Sequence, residues 1–411
     1  MSGTYMIRAK KLVTVTEKGS INDGAMLVKN GLIADIGPWE KLRVEHRANG
    51  VALLDCRDWV IAPSLADCHT HLLEFAPRSL FPVTEETHGA AGMSLLLKAL
   101  SCGITALGEQ ICGHPKCGFN LAFYRRLASF VPIDVCFSLS SISIGFSQLA
   151  HFTAATGPHP VERERLAAPE IVHVLAGESE YPGENLFLNA TPVNFKPEEV
   201  PRAGEIIYEQ SELTRVVDAF HRSGKSIGVH VGGEEAIRMA LAAGVDVLHH
   251  AHGISDQQII EAAQKNIKIV ATPLGGTHEL PNSPEQISRL VQAGVTTAIS
   301  TDAYLPPHEQ ASWLSFPDRE LKGPETLMAI AQPAMKLLQK QGYGENEILS
   351  LITRNPAIVL GKEKRYGSLG KGLEANFLVT AGVPGLEITS EEDIRQVYYR
   401  GVKVIDRIGE G

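Results

Sequence analysis

Eight strand-like runs recur through the middle of the chain: "WVIAPSLADCH", "GITALGEQI", "DVCFSLSSI", "NLFLNATPV", "SIGVHV", "DVLHHA", "IKIVATP" and "TTAISTD". Helical patterns separate most of them. "SELTRVVDAFHRSG" places Leu213, Val216, Val217 and Phe220 on one stripe and stops at Gly224. "NSPEQISRLVQAG" opens with Ser283 as N-cap, Pro284 at the first helical position and Gln286 completing a capping box, and ends at Gly294. In the second half, successive strand ends lie roughly 20 to 30 residues apart, the length of one strand–helix unit. Eight such units predict an α/β chain with a (β/α)8, TIM-like barrel over residues 59–362. A doubly wound open sheet is the alternative, but no strand is followed by a Gly-rich dinucleotide turn.

Both ends of the chain read as β-structure. "AMLVKNGLIADIG" carries Asn30-Gly31 between apolar runs, a two-residue hairpin signal. "NFLVTAG" and "QVYYRGVKVIDR" are strand-like, with Arg400-Gly401 as a turn. Neither end has enough apolar residues for its own core, so the two are expected to form one small β-sandwich from residues 1–58 and 363–411.

At 411 residues there is room for a large domain plus a smaller one, and 44% hydrophobic with 21% charged residues is ordinary for a soluble globular protein. The net charge of −9, with no basic stripe, argues against a nucleic-acid or anionic-membrane partner. "MSGTYMIRAKKLVTV" lacks an apolar core of signal-peptide length, and no run approaches the roughly 18 apolar residues of a membrane span. A cytoplasmic protein with a small-molecule substrate is expected, with a homo-oligomer left open. The six cysteines (56, 68, 102, 112, 117 and 136) read mostly as reduced core thiols, and "CGHPKC" (Cys112, His114, Cys117) as a loop bordering the active site rather than a structural zinc knuckle.

The polar residues are placed less evenly. In "DCHTHL", His69 and His71 are two apart on a strand and therefore share a face. Alone, the pair fits two satisfied core histidines as well as it fits a metal. Three more strands carry His230, His250 and Asp302 at the same end, where chemistry gathers in such a barrel. Converging imidazoles and a carboxylate suit zinc or another first-row divalent ion such as manganese or iron. Scattered core histidines and a helix-capping Asp are the plainer account. By strand alternation His249 points away from the barrel axis, toward the helices, and His252 falls in the loop beyond, within reach of a substrate. His221 reads as a surface residue of a helix.

"HVGGEEAIRMALAAGVDVLHHAHG" and "RNPAIVLGKEKRYGSLGKGLEANFLV" together resemble the amidohydrolase superfamily, closest to its prolidase and imidazolonepropionase branch. The likeness covers nearly the whole chain. It implies a distorted (β/α)8 barrel, metal binding by His69, His71, His230 and Asp302, and a second-metal, catalytic or substrate-contacting role for His250. One departure matters. Prolidase-like members place a carboxylated lysine on the fourth strand to bridge two metals, and "NLFLNATPV" has no Lys, Glu or Asp, only Asn189, with Lys196 in the loop beyond. One tightly held ion is therefore favoured over two. The mononuclear arrangement implies an acid just after the fifth strand's His, for which Glu234 and Glu235 are the candidates.

A metal held this way lowers the pKa of water and polarises a carbonyl. Asp302 is expected as ligand and general base, His250 as a donor to the tetrahedral intermediate, and Asp302 or Glu234 as the acid that protonates the leaving nitrogen. The expected reaction is hydrolysis of a C–N bond in a linear or cyclic amide, urea, carbamate or N-acyl compound. A deaminase of an amino-heterocycle is the alternative, and a non-catalytic binding relative a third reading. Tyr208, His114 and Arg202 are offered as substrate contacts.

Overall fold

The computed structural model describes residues 3–46, 51–74, 84–113, 120–145, 149–191, 194–196 and 198–408. His114 and Cys117 lie outside the described residues. Four strands open the chain: β1 (Thr4–Val13), β2 (Ser20–Lys29), β3 (Leu32–Pro38) and β4 (Ala52–Pro63). The middle holds β5 (Leu65–Thr70), β6 (Ile104–Ile111), β7 (Asp134–Leu139), β8 (Ser141–Ile144), β9 (Ala150–Thr153), β10 (Gly157–Val161), β11 (Leu186–Phe187), β12 (Gly228–Gly232), β13 (Val247–His252), β14 (Lys268–Ala271) and β15 (Thr297–Ile299). Near the C-terminus come β16 (Phe377–Thr380), β17 (Ile394–Tyr399) and β18 (Val402–Asp406).

Where the sequence reading expects a sandwich from the two termini, the hydrogen bonds trace one seven-stranded sheet, in the order β18-β17-β16-β4-β1-β2-β3. Its two hairpins turn where the sequence marks them. Lys29 faces Leu32 across Asn30 and Gly31, both at positive φ, and Tyr399 faces Val402 across Arg400 and Gly401, also both positive. Positive φ at both central residues matches the strands' right-handed twist. Ile7, Leu12, Met26, Ile33, Phe377 and Val379 form a fully buried core against this sheet, drawn from both chain ends. The "WVIAPSLADCH" run is two strands rather than one. Ser64 still donates to Asn376 in the terminal sheet, whereas Leu65 donates to Gly103 in the central one.

The central strands are barrel-like. β5-β6-β7 form one parallel sheet, and β8, β11, β12, β13, β14 and β15 run parallel in a second, whose far edge carries the antiparallel β9 and β10. Only Ser140 separates β7 from β8. On the other side a single bridge, Thr70 with Ala303, joins the two sheets, so the ladder does not close continuously among the described residues. Helices separate the strands as the sequence predicts. Gln210–Arg222 buries Leu213, Val216, Val217 and Phe220. Pro284–Gln292 is capped by Ser283, which accepts from the Gln286 N–H, but the Gln286 side chain accepts from Asn282 instead of closing the capping box.

Candidate metal centre and active site

β5 delivers His69 and, just past its end, His71; β12 delivers His230, β13 His250, and the loop after β15 Asp302. All are buried except His71, whose side chain is 16% exposed at a cavity of about 320 Å³. The backbone of Asp302 is pinned to β5, its N–H donating to the His69 carbonyl at 3.1 Å. Four of the sequence-predicted residues thus meet: His69 Nε2 lies 3.2 Å and His71 Nε2 3.5 Å from Asp302 Oδ1, and His250 Nδ1 3.9 Å from Asp302 Oδ2.

Glu184 is the residue the sequence reading missed. It lies two positions ahead of β11, in the Pro182-Gly183-Glu184 turn, and is fully buried. Its two oxygens face different imidazole pairs. Oε2 is 3.2 Å from Nε2 of both His69 and His71, while Oε1 is 2.6 Å from His230 Nδ1 and 2.8 Å from His250 Nε2. Gln110 accepts from the Glu184 N–H, fixing the turn. The ring of Phe187 stacks on His230, centroids 4.2 Å apart and planes within 9°, and holds that imidazole's tilt.

Strand alternation fails at one place with consequences. His250 and Ala251 have φ of 68° and 48°, and the β12–β13 register shifts between Val231 and Gly232. His249 faces inward by alternation, in register with His230, and the left-handed pair turns the next imidazole, His250, inward as well. His249, expected to face the helices, instead lies under the cluster, its Nδ1 3.0 Å from His69 Nδ1. His252 is buried between Thr272 and Thr277 rather than facing a substrate.

Glu234, expected to move protons, is not brought to the cluster. It is exposed on the first turn of the helix Glu234–Ala243 and lines a surface cleft with Glu235 and Arg238, which pair with each other. The reason is local: β12 ends at Gly232, Gly233 caps the helix at a positive φ, and the helix starts with its first turn turned outward. Tyr208 and Arg202 line a separate polar cleft. Asn189 donates to Gly204 and accepts from Gly232, a purely structural role.

Two buried carboxylates among four neutral imidazoles leave two uncompensated negative charges, which a low-dielectric site does not tolerate. Without a cation the cluster takes up protons. Burial pulls His69 down, but the charges of Glu184 and Asp302 outweigh it and push it up to about 10, whereas burial drives His230 down to about 4. Burial raises Glu184 and Asp302, yet the facing imidazoles hold both below the ordinary carboxylate range. The buried Nε2 atoms of His69 and His230 have no hydrogen-bond partner. Orphaned imidazole nitrogens beside carboxylates are the donor set of a divalent ion, and two groups fit one: His69, His71 with Asp302, and His69, Glu184 with His250.

The cavity beside this cluster is walled by Ile142, Phe187, Tyr304, Leu305 and Leu321, with Thr191 and Gly276 as its small residues. Gly276 has no room for a side chain: a Cβ there would sit 2.4 Å from Asp302 Oδ2 and from His250 Cε1.

Imidazoles and carboxylates that could hold a divalent ion, gathered at one end of parallel strands beside a substrate-sized cavity, are the arrangement of a barrel-type hydrolase. The chain belongs to the amidohydrolase family, whose sequence model matches residues 60–404. Among curated relatives, the imidazolonepropionase of Chloroflexus aggregans is 24% identical over 393 residues, covering 89% of this chain and 86% of its own length. That of Geobacillus kaustophilus is 24% identical over 455 residues, covering 100% and 97%. Solved structures with the same fold include A. niger ochratoxinase (TM-score 0.71, 16% identity, 100% of this chain and 97% of that one) and molinate hydrolase (0.72, 16%, 98% and 95%). The fold is TIM-barrel-like, and the chain is a hydrolytic enzyme acting on carbon–nitrogen bonds other than ordinary peptide bonds.

Proposed function

We propose that the chain hydrolyses the C–N bond of a small, uncharged, largely apolar amide-type compound: an amide, carbamate, urea or N-acyl derivative. The observation that carries this reading is Glu184. Each of its oxygens faces its own imidazole pair, His69 with His71 and His230 with His250, so Glu184 would help hold a cation beside each pair. Two close dications repel strongly, and an anionic bridge offsets much of that repulsion. The argument for a single ion rested on a fourth strand without an acid, and Glu184 removes it. Two ions, zinc or manganese or iron, are the reading the donor set supports.

A divalent ion bound here supplies Lewis-acid polarisation of a carbonyl and activation of water. The chain's own residues do the rest. Asp302, on the cavity wall and flanked by His69 and His71, takes the proton as water attacks and returns it to the leaving nitrogen. Ile142, Phe187, Leu305 and Leu321 hold the apolar part of the substrate and exclude bulk water. No Lys or Arg is among the described residues lining the cavity, so an anionic substrate group finds no Lys or Arg partner there. The deaminase alternative loses its proton carrier, since Glu234 faces the surface cleft. We also read the chain as two units, the barrel over 59–362 and the terminal sheet over 1–58 and 363–411, joined where β4 passes into β5.

The test is a panel of N-acyl compounds, carbamates, cyclic imides, ureas and amino-heterocycles offered to the metal-loaded protein. Amine release from neutral amide-type substrates is expected. Ammonia release from an exocyclic amine alone would overturn the reading.

A further inference from the structure

Directly beneath the cluster, His249 makes two hydrogen bonds that fix its chemistry. Its Nε2 lies 3.0 Å from the carbonyl oxygen of Pro182, and its Nδ1 3.0 Å from Nδ1 of His69. A carbonyl oxygen only accepts, so Nε2 of His249 carries the proton and donates. In a neutral imidazole Nδ1 is then the acceptor, and the hydrogen between the two rings belongs to His69 Nδ1. With its Nδ1 protonated, a neutral His69 presents the lone pair of Nε2. That is the atom lying 3.2 Å from both Glu184 Oε2 and Asp302 Oδ1 and lacking any hydrogen-bond partner.

The other end of the same imidazole acts on Glu184. Pro182 is two residues before it, and the Pro182-Gly183 turn is packed too tightly to shift. A Cβ on Gly228 would meet the Gly183 oxygen at 2.2 Å and the Pro182 oxygen at 2.4 Å, and one on Gly183 would meet Gln110 Oε1 at 2.5 Å. His249 itself is fully buried and reaches neither substrate nor cavity. Two positive-φ residues after it allow its neighbour His250 to face inward as well, so the local backbone distortion brings both rings into one interior.

We propose that His249 is a positioning residue: one ring fixes the tautomer of His69 through Nδ1 and anchors the Glu184 turn through Nε2, presenting an imidazole and a carboxylate to the same cation. The role rests on the metal-centre reading above. Ligating histidines are usually oriented by a carboxylate or a backbone carbonyl. Here a second, neutral imidazole stands in that place and passes the constraint on to a carbonyl.

Three substitutions separate the two contacts. His249→Asn keeps an acceptor where Nδ1 stands and loses the reach to Pro182. His249→Gln keeps a donor near Nε2 and loses the acceptor, and His249→Leu keeps neither. Each purified full-length protein is stripped, refolded state is checked by thermal melting, and zinc affinity is measured by competition with a chromophoric chelator. Cobalt is then substituted and its visible spectrum recorded. His249→Leu should weaken zinc about 10–100-fold, the usual cost of losing an outer-shell partner, and shift the cobalt bands. His249→Asn should recover most of that affinity. If the Leu variant does not fold, the Asn variant should still bind zinc more tightly than the Gln variant. Wild-type affinity in His249→Leu, or equal impairment of the Asn and Leu proteins, would overturn the positioning role while leaving the metal centre intact. A wild-type chain that binds no divalent ion would overturn the centre itself and the inference with it.

Discussion

Glu109 offers a measurement whose size follows from the structure. It is fully buried on β6, where Oε2 accepts from the Thr70 hydroxyl at 2.7 Å and Oε1 from the Leu73 N–H at 2.6 Å, so it holds the backbone on both sides of His71. Burial pushes its carboxyl from the ordinary 4.5 up to about 7. A carboxyl whose pKa is higher folded than unfolded contributes stability that is fully present below the unfolded value and lost as pH rises through the folded one. The gap of about 2.5 units, at about 1.36 kcal/mol per unit, is about 3 kcal/mol, most of it falling between pH 5 and 8. Glu109→Gln removes the titration and keeps both contacts: its carbonyl accepts from Leu73, and its amide donates to Thr70, whose hydroxyl can still donate to Gly108. For a chain of 411 residues, an unfolding entropy of about 2.1 cal/mol/K per residue turns this into about 3 °C. Paired melting scans of the two proteins from pH 5 to pH 8 should show the Gln variant gaining about 3 °C on the wild type as pH rises. All other titrating groups are common to both and cancel. A melting difference that stays constant across that range, or moves the other way, would refute the reasoning.

Glu184→Gln should cut bound metal from two ions per chain to one or fewer after dialysis and lower turnover at least about 100-fold, with elemental analysis and rate measured on the same sample; two retained ions would exclude a bridge. Glu234→Gln should leave turnover within about twofold, as exposed residues outside a site usually do, and a larger fall would return Glu234 to the chemistry. Gly276→Ala forces a methyl onto Asp302 and His250 at a φ of +129°, and should abolish turnover while the terminal sheet stays folded by circular dichroism. Unchanged kinetics there would mean the loop after β14 moves freely.

What the sequence revealed and what it hid divide along a physical line. The strand runs, the helix stripes and the candidate site residues His69, His71, His230, His250 and Asp302 were legible because each follows from a local period: alternation in strands, a 3.6-residue stripe in helices, and the rule that barrel chemistry sits at strand ends. The terminal sheet was legible for its hairpins, where Asn30-Gly31 and Arg400-Gly401 have the positive φ their turns demand. Its single continuous ladder was not, because a sandwich and one sheet bury the same alternating residues and differ only in long-range pairing. Glu184 and His249 were hidden for a related reason. Glu184 precedes its strand instead of ending it, so a search for acids within "NLFLNATPV" starts one residue too late. His249 obeys alternation and faces the interior; choosing His250 as the inward residue places it outward, whereas the left-handed backbone at His250 and Ala251 lets both face the same way.

The two hidden residues are also the ones that act across the barrel. A period along one strand predicts which face a side chain occupies, and says nothing about a carboxylate shared by four imidazoles from three other strands. One signal was nonetheless available. A Glu following Pro182-Gly183 and preceding a run as apolar as "LFL" is a charge headed for the interior, where charges are found only when paired or metal-bound. Applied to "YPGENLFLNA", that rule alone places an acid beside the histidines and turns the expectation from one ion to two. The burial of a charge is thus a better guide here to a carboxylate among the imidazoles than its position on a strand.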